Sequence, residues 1–131
     1  MLPSISIFVN IVSMKTFTFD CCPPLLLKHL KSSDAEQLAA MFRVLGEPSR
    51  LQLLSLIASQ PTGAACVCEL IEPLGLSQPT VSHHLKVLFD AGFLTKERRG
   101  TWMYYRVVPQ TLEALCATLE SPAGESLSEI A

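Results

Sequence analysis

The stretch from Cys66 to Gly92 constrains this chain more than any other, because two short amphipathic segments flank a glycine and the second divides cleanly by face. Val67, Leu70, Ile71 and Leu74 recur at helical spacing, Gly75 breaks the run, and Ser77 stands where a helix N-cap belongs. Over 78–91, at about 100° per residue, Val81, Leu85 and Leu88 fall in one narrow arc that must face a core. Pro79, Ser82, His83, Lys86 and Asp90 lie opposite. Two short helices joined by a tight, glycine-containing turn read as a helix-turn-helix. An outer face of short polar and basic side chains suits a helix laid in the major groove of DNA.

The flanking segments supply the rest of a small domain. Ser33 with Glu36 has the spacing of a capping box, and Ala35, Leu38, Ala39, Phe42 and Leu45 follow as a helical stripe closed by Gly46. Pro48 suits the first turn of a second helix running to about Ser59, apolar nearly all round and so read as the central buried element. Residues 60–65 read as a turn-rich connector. Residues 93–107 alternate with period two around Arg99-Gly100, the pattern of a β-hairpin, and arginines at its tip make it a wing. Pro109 opens a last helix with the stripe Leu112, Leu115, Cys116 and Leu119. So small a domain leaves that stripe little core to cover, so contact with a second copy is its expected use and Cys116 is read as a packed side chain.

The expected fold is mainly α with a small β-hairpin wing, a winged helix-turn-helix over 33–120. A flexible arm (1–32) precedes it and a loose tail (121–131) follows. Met14 opens an alternative start, so residues 1–13 are set aside. A chain of 131 residues with 49% hydrophobic and 17% charged residues is neither disordered, collagen-like nor a coiled coil. The longest apolar stretch, 5–14, is interrupted by Ser and Asn and too short to span a bilayer. It has neither the basic segment nor the cleavage site of a secretory signal. The expectation is a cytoplasmic protein with no membrane partner. The net charge of −2 hides a gradient: Lys86, Lys96, Arg98, Arg99 and Arg106 fall between 77 and 107 against Asp90 and Glu97, whereas no Lys or Arg occurs after Arg106. A phosphate backbone meets local charge, so the acidic average does not forbid DNA.

With those elements placed, residues 76–88 (LSQPTVSHHLKVL) followed by Ala91-Gly92-Phe93-Leu94 resemble the recognition helix of the ArsR/SmtB metal-sensing repressors. Upstream Leu45-Gly46-Glu47-Pro48-Ser49-Arg50-Leu51 and downstream Gly100-Thr101-Trp102-Met103-Tyr104-Tyr105 are similar to the same family, and the resemblance covers roughly 33–120. It implies a homodimer that represses transcription by binding double-stranded operator DNA at an imperfect inverted repeat and lets go when metal binds. A two-fold dimer presents its recognition helices to symmetric half-sites. Ser77, Gln78, Thr80, Ser82, His83 and Lys86 are the candidate DNA contacts on the helix, with Arg98 and Arg99 on the wing. Gln78 suits an adenine edge, where a carboxamide donates and accepts together. Lys86 and the arginines suit phosphate. His84 sits beside the apolar arc and is read as packing.

Five cysteines without a secretory signal are expected as reduced thiols. In the resembled family a Cys-Val-Cys before the recognition helix binds thiophilic ions, and Cys66 and Cys68 occupy those positions. Where some arsenic sensors carry a third thiolate one turn on, this chain has Ile71, so Cys21 and Cys22 of the arm are the candidates to complete the site. Three thiolates from this set suit pyramidal As(III) or Sb(III); four suit Cd(II) or Pb(II). No organic cofactor is expected. The zinc site that some relatives build on the last helix needs His and Asp, and no His follows His84. A regulator of the same fold switched by thiol oxidation is the alternative. A cysteine enzyme is not expected, since His29, His83 and His84 are the only histidines and no catalytic signature surrounds a thiol.

Overall fold

The computed structural model describes residues 25–26 and 29–120. Among them lie five helices and one three-stranded sheet: α1 (Ser32–Leu45), α2 (Pro48–Ala58), β1 (Ala64–Cys66), α3 (Val67–Leu74), α4 (Gln78–Asp90), β2 (Leu94–Arg99), β3 (Trp102–Val107) and α5 (Pro109–Thr118). This is the mainly α winged helix-turn-helix that the pattern predicts.

Local chemistry sets several boundaries. Pro48 opens α2 behind the Glu47 cap, whose carboxylate accepts from the Ser49 N–H at 2.9 Å. Gly75 closes α3 in the left-handed region at φ 68°, where a Cβ would cost energy. Ser77 caps α4, its Oγ accepting from the Thr80 N–H at 3.4 Å. The Ser33–Glu36 capping box does not form: α1 begins at Ser32 with Lys31 as its N-cap and no side-chain cap bond.

The core gathers where α1, α2, α3 and α4 meet the sheet. Leu38, Met41, Leu53, Ile57, Leu70, Val81, Leu85, Leu88 and Phe93 are all buried there. Complete burial of a Leu or Val side chain contributes about 1.5–3 kcal/mol, so the Val81–Leu85–Leu88 arc fixes which way α4 presents its other face. The second helix is less enclosed than its composition suggests, for Leu51 is exposed.

Three differences from the sequence pattern matter. Residues 64–66, the end of the segment read as a connector together with Cys66, form a strand: β1 pairs antiparallel with β3, giving sheet order β1-β3-β2. The hairpin turns at Gly100-Thr101 rather than Arg99-Gly100, because Arg99 pairs with Trp102 and Gly100 takes φ 68°. Finally, α5 buries Thr111, Leu115 and Thr118, whereas Cys116 and Leu119 are exposed, so the packed reading of Cys116 is corrected. Thr111 turns inward because its Oγ1 donates to the buried Gly92 carbonyl at 2.7 Å, tying α5 to the turn after α4. Next to this end, the Leu25 N–H donates to the Thr118 carbonyl at 3.1 Å.

Candidate DNA interface and cysteine pair

All six candidate contacts on α4 and its cap reach solvent: Ser77, Gln78, Thr80, Ser82, His83 and Lys86 are exposed. Three are engaged, with one another or with a neighbour on the same helix. The Ser77 hydroxyl donates to Thr80 Oγ1 at 2.9 Å. Lys86 Nζ lies 2.9 Å from Asp90 Oδ2, an exposed i,i+4 pair of small energetic weight that a phosphate can displace.

His84 marks the border between this face and the core. Arg50 Nη1 stands 3.2 Å from His84 Nδ1, an arrangement in which a neutral imidazole accepts from the guanidinium. His84 Nε2 lies 3.7 Å from Glu47 Oε1, and Arg50 Nε donates to the Val44 carbonyl at 2.6 Å. The Glu47–Arg50 segment that opens α2 thus braces the recognition helix from behind. Desolvation holds the His84 pKa below its ordinary 6.5; Glu47 opposes that shift, while Arg50 and His83 add to it. His84 is a brace, as its place beside the apolar arc suggests.

The wing carries Arg98 and Arg99 exposed near its tip. Arg99 lies over the Tyr104 ring at 4.6 Å and 3.4 Å from Glu97. Arg98 has no ion-pair partner among the described residues. At the base of the hairpin Lys96 Nζ sits 4.4 Å from the Phe89 ring centroid, docking β2 against α4 so that wing and recognition helix form one body. Trp102, which the sequence offered as part of the hairpin and not as a contact, is 56% exposed opposite Arg99.

Cys66 and Cys68 stand at the junction of wing and helix-turn-helix. Cys66 is the last residue of β1, opposite Tyr104 of β3, and also the N-cap of α3, with its N–H donating to Glu69 Oε1 at 3.0 Å. Cys68 lies in the first turn of α3. Cys66 is buried and Cys68 exposed, and with Cα atoms 5.4 Å apart their sulfurs are joined as a disulfide rather than standing as the expected free thiols. Extended backbone at Cys66, running straight into helix, turns both sulfurs toward one point. Ile71, one turn on, packs against the core. Among the described residues no group of three or more His, Cys, Asp or Glu side chains could hold a metal ion. Cys21 and Cys22 lie outside the described residues, and no helix among the described residues is long and apolar enough to cross a membrane.

With this geometry in view, known proteins supply an independent comparison. The family model for bacterial regulatory proteins of the arsR family matches residues 47–96, the span from the Glu47 cap to the wing strand β2. The arsenic resistance transcriptional regulator ArsR1 of Pseudomonas putida is 44% identical over 91 residues, covering 67% of this chain and 70% of that protein. Among solved structures, the antimony-specific transcriptional repressor AntR is 33% identical with a TM-score of 0.57, covering 70% of this chain and 82% of that one. A homodimeric winged helix-turn-helix DNA-binding domain from Mycobacterium bovis is 26% identical with a TM-score of 0.55, covering 69% and 84%. A recognition helix braced on the α2 cap, a wing docked beside it and a relative of this identity and coverage agree: the chain belongs to the ArsR family of helix-turn-helix transcriptional regulators.

Proposed function

We propose that this protein is a metalloid-responsive repressor that binds an imperfect inverted repeat in operator DNA as a homodimer and releases it when As(III) or Sb(III) is captured by cysteine thiolates. The observation that carries the reading is the position of Cys66, which ends a strand hydrogen-bonded to the wing and caps the first helix of the helix-turn-helix. An ion drawing on that residue bears on both DNA-reading elements. Relatives named for arsenic and antimony make the trivalent metalloid the favoured ion.

Cys66 and Cys68 supply two sulfurs at this junction, so a pyramidal site takes its third from Cys21 or Cys22, of the same chain or of a second copy. All four would suit Cd(II) or Pb(II). Each sulfur–arsenic bond made from arsenous acid releases one water, the thiol proton leaving with a hydroxide ligand, and the site requires the Cys66–Cys68 pair reduced. Release of DNA needs only a modest coupling, about 1–3 kcal/mol between the two sites. A contact between copies through the outward Cys116–Leu119 face of α5 is consistent with the dimer.

The test is DNA release by As(III), followed by fluorescence anisotropy of a labelled operator duplex, for the reduced wild type and for Cys66→Ser and Cys68→Ser. Both variants should bind duplex as wild type does and hold it in the presence of As(III). Release by As(III) at the wild-type concentration from either variant refutes the assignment. The Cys66–Cys68 disulfide favours one second reading, a switch worked by thiol oxidation. Peroxide, which takes two thiols to one disulfide and is itself reduced to water, would then release DNA where As(III) does not.

A further inference from the structure

We infer that Trp102 is a DNA-contacting residue, its indole packing against the deoxyribose walls of the minor groove while the neighbouring arginines take the flanking phosphates. This rests on the DNA-binding reading above and adds an apolar contact to it. Trp102 occupies the last paired position of the hairpin, opposite Arg99 and just past the Gly100-Thr101 turn, so nothing lies beyond it but two loop residues. At 56% it is the most exposed of the large hydrophobic side chains described. A hairpin tip has no core to gain from an indole, so the ring is presented to whatever the tip meets.

Charge selects the partner. Between Leu94 and Val107 the hairpin carries Lys96, Arg98, Arg99 and Arg106 against Glu97 alone. Arg106 turns away, donating to the Thr62 carbonyl at 3.0 Å, and Lys96 is held over Phe89, which leaves Arg99 on the indole's face of the hairpin and Arg98, opposite Met103, on the other. A guanidinium group on each face of a hairpin tip that carries an exposed aromatic wedge matches a groove walled by phosphates on both sides and floored by apolar sugar and base edges, the chemistry by which minor-groove proteins insert apolar side chains. The Glu97 contact that Arg99 gives up is exposed on both sides and weak.

Trp102 is the chain's sole tryptophan, so its emission reports this site directly. The probe is a duplex enriched by the full-length wild type from a randomised pool, with binding followed separately by the anisotropy of a label on the DNA. On binding, indole emission should fall and its quenching by acrylamide should weaken at least about twofold, as for a ring taken out of solvent. Trp102→Ala should lose about tenfold in affinity with an unchanged slope against salt, since no charge is removed, and Trp102→Phe should recover most of it. Duplex binding that leaves emission and acrylamide access unaltered, or an Ala variant that binds as wild type, overturns this inference alone. Enrichment of no duplex at all overturns the DNA-binding reading and this contact with it.

Discussion

Lys86 offers the sharpest separation of a phosphate contact from a base contact. Free in solution its side chain is 72% exposed and its ammonium bonded to Asp90 at 2.9 Å, a pair worth about 0.3–0.5 kcal/mol that binding to DNA must first break. If Lys86 then neutralises a phosphate in each half-site of the proposed dimer, two counterions are released, and the slope of log affinity against log salt steepens by about 1.8. Over a fourfold range of salt this amounts to about a 12-fold change in affinity that Lys86→Gln will no longer show. The variant therefore falls furthest behind wild type at low salt and closes much of the gap as salt rises. Lys86→Gln also leaves Asp90 as an unpaired negative charge near the DNA. The double variant Lys86→Gln/Asp90→Asn keeps the net charge of the helix face and should regain part of the loss while retaining the shallower slope. Arg43, in the last turn of α1 and off this face, is the control, and Arg43→Gln should keep the wild-type slope. Anisotropy titrations of labelled duplex across the salt range measure all four proteins. A Lys86→Gln slope equal to wild type would show that this side chain does not reach phosphate, and the placement of α4 against DNA would have to be redrawn.

Two further predictions concern what holds that helix in place. Thr111→Val keeps the shape of a fully buried side chain but removes its hydrogen bond to the Gly92 carbonyl, and should lower unfolding stability by about 1–3 kcal/mol in urea titrations; Thr111→Ser, which retains the hydroxyl, should lose less. A wild-type midpoint in Thr111→Val would mean the bond does not anchor α5. His84 is held below its ordinary pKa of 6.5, so the unfolded chain takes up its proton first and stability should fall as pH drops through that value toward the lower folded pKa. His84→Gln should flatten the part of the stability profile that falls as pH drops below about 6.5, and a profile of unchanged slope in that variant would place the titration elsewhere.

What could be read from sequence follows the range of the forces involved. The α4 arc of Val81, Leu85 and Leu88 was legible because one helix carries the whole signal, and all three side chains are fully buried. Its exposed candidate contacts followed by subtraction. Strand β1 was not legible: Ala64-Ala65-Cys66 has no β-branched or aromatic residue, and it is extended because β3 pairs with it from some forty residues away. Missing that strand also hid the most informative feature of the cysteine site, since only the pairing of Cys66 with Tyr104 connects it to the wing. The false cap at Ser33 has the same origin in reverse. Ser-x-x-Glu spacing is permissive, and the glutamate that does reach back to a cap N–H is Glu69, toward a cysteine that no capping pattern includes.

The two faces of α5 take the argument one step further. Apolarity pointed to Leu112, Leu115, Cys116 and Leu119, yet the domain buried Thr111 and Thr118 with Leu115 and turned Cys116 and Leu119 outward. Both threonines are fully buried because each hydroxyl has a carbonyl to bond, Thr111 to Gly92 and Thr118 to Leu115, each at 2.7 Å. A threonine so satisfied packs as a small branched apolar residue, and a hydropathy pattern counts it on the wrong side. Leu112 and Leu115 pack on the core, and the Cys116–Leu119 part of the stripe seen in the sequence is therefore the helix's surplus, facing away from it. A surplus of that kind is what a second copy of the chain would cover. The substitution that separates the two faces is Leu119→Lys: it should leave the unfolding midpoint of the monomer nearly unchanged while weakening self-association in sedimentation, whereas a fall in monomer stability with association intact would show that the outward face belongs to the fold after all.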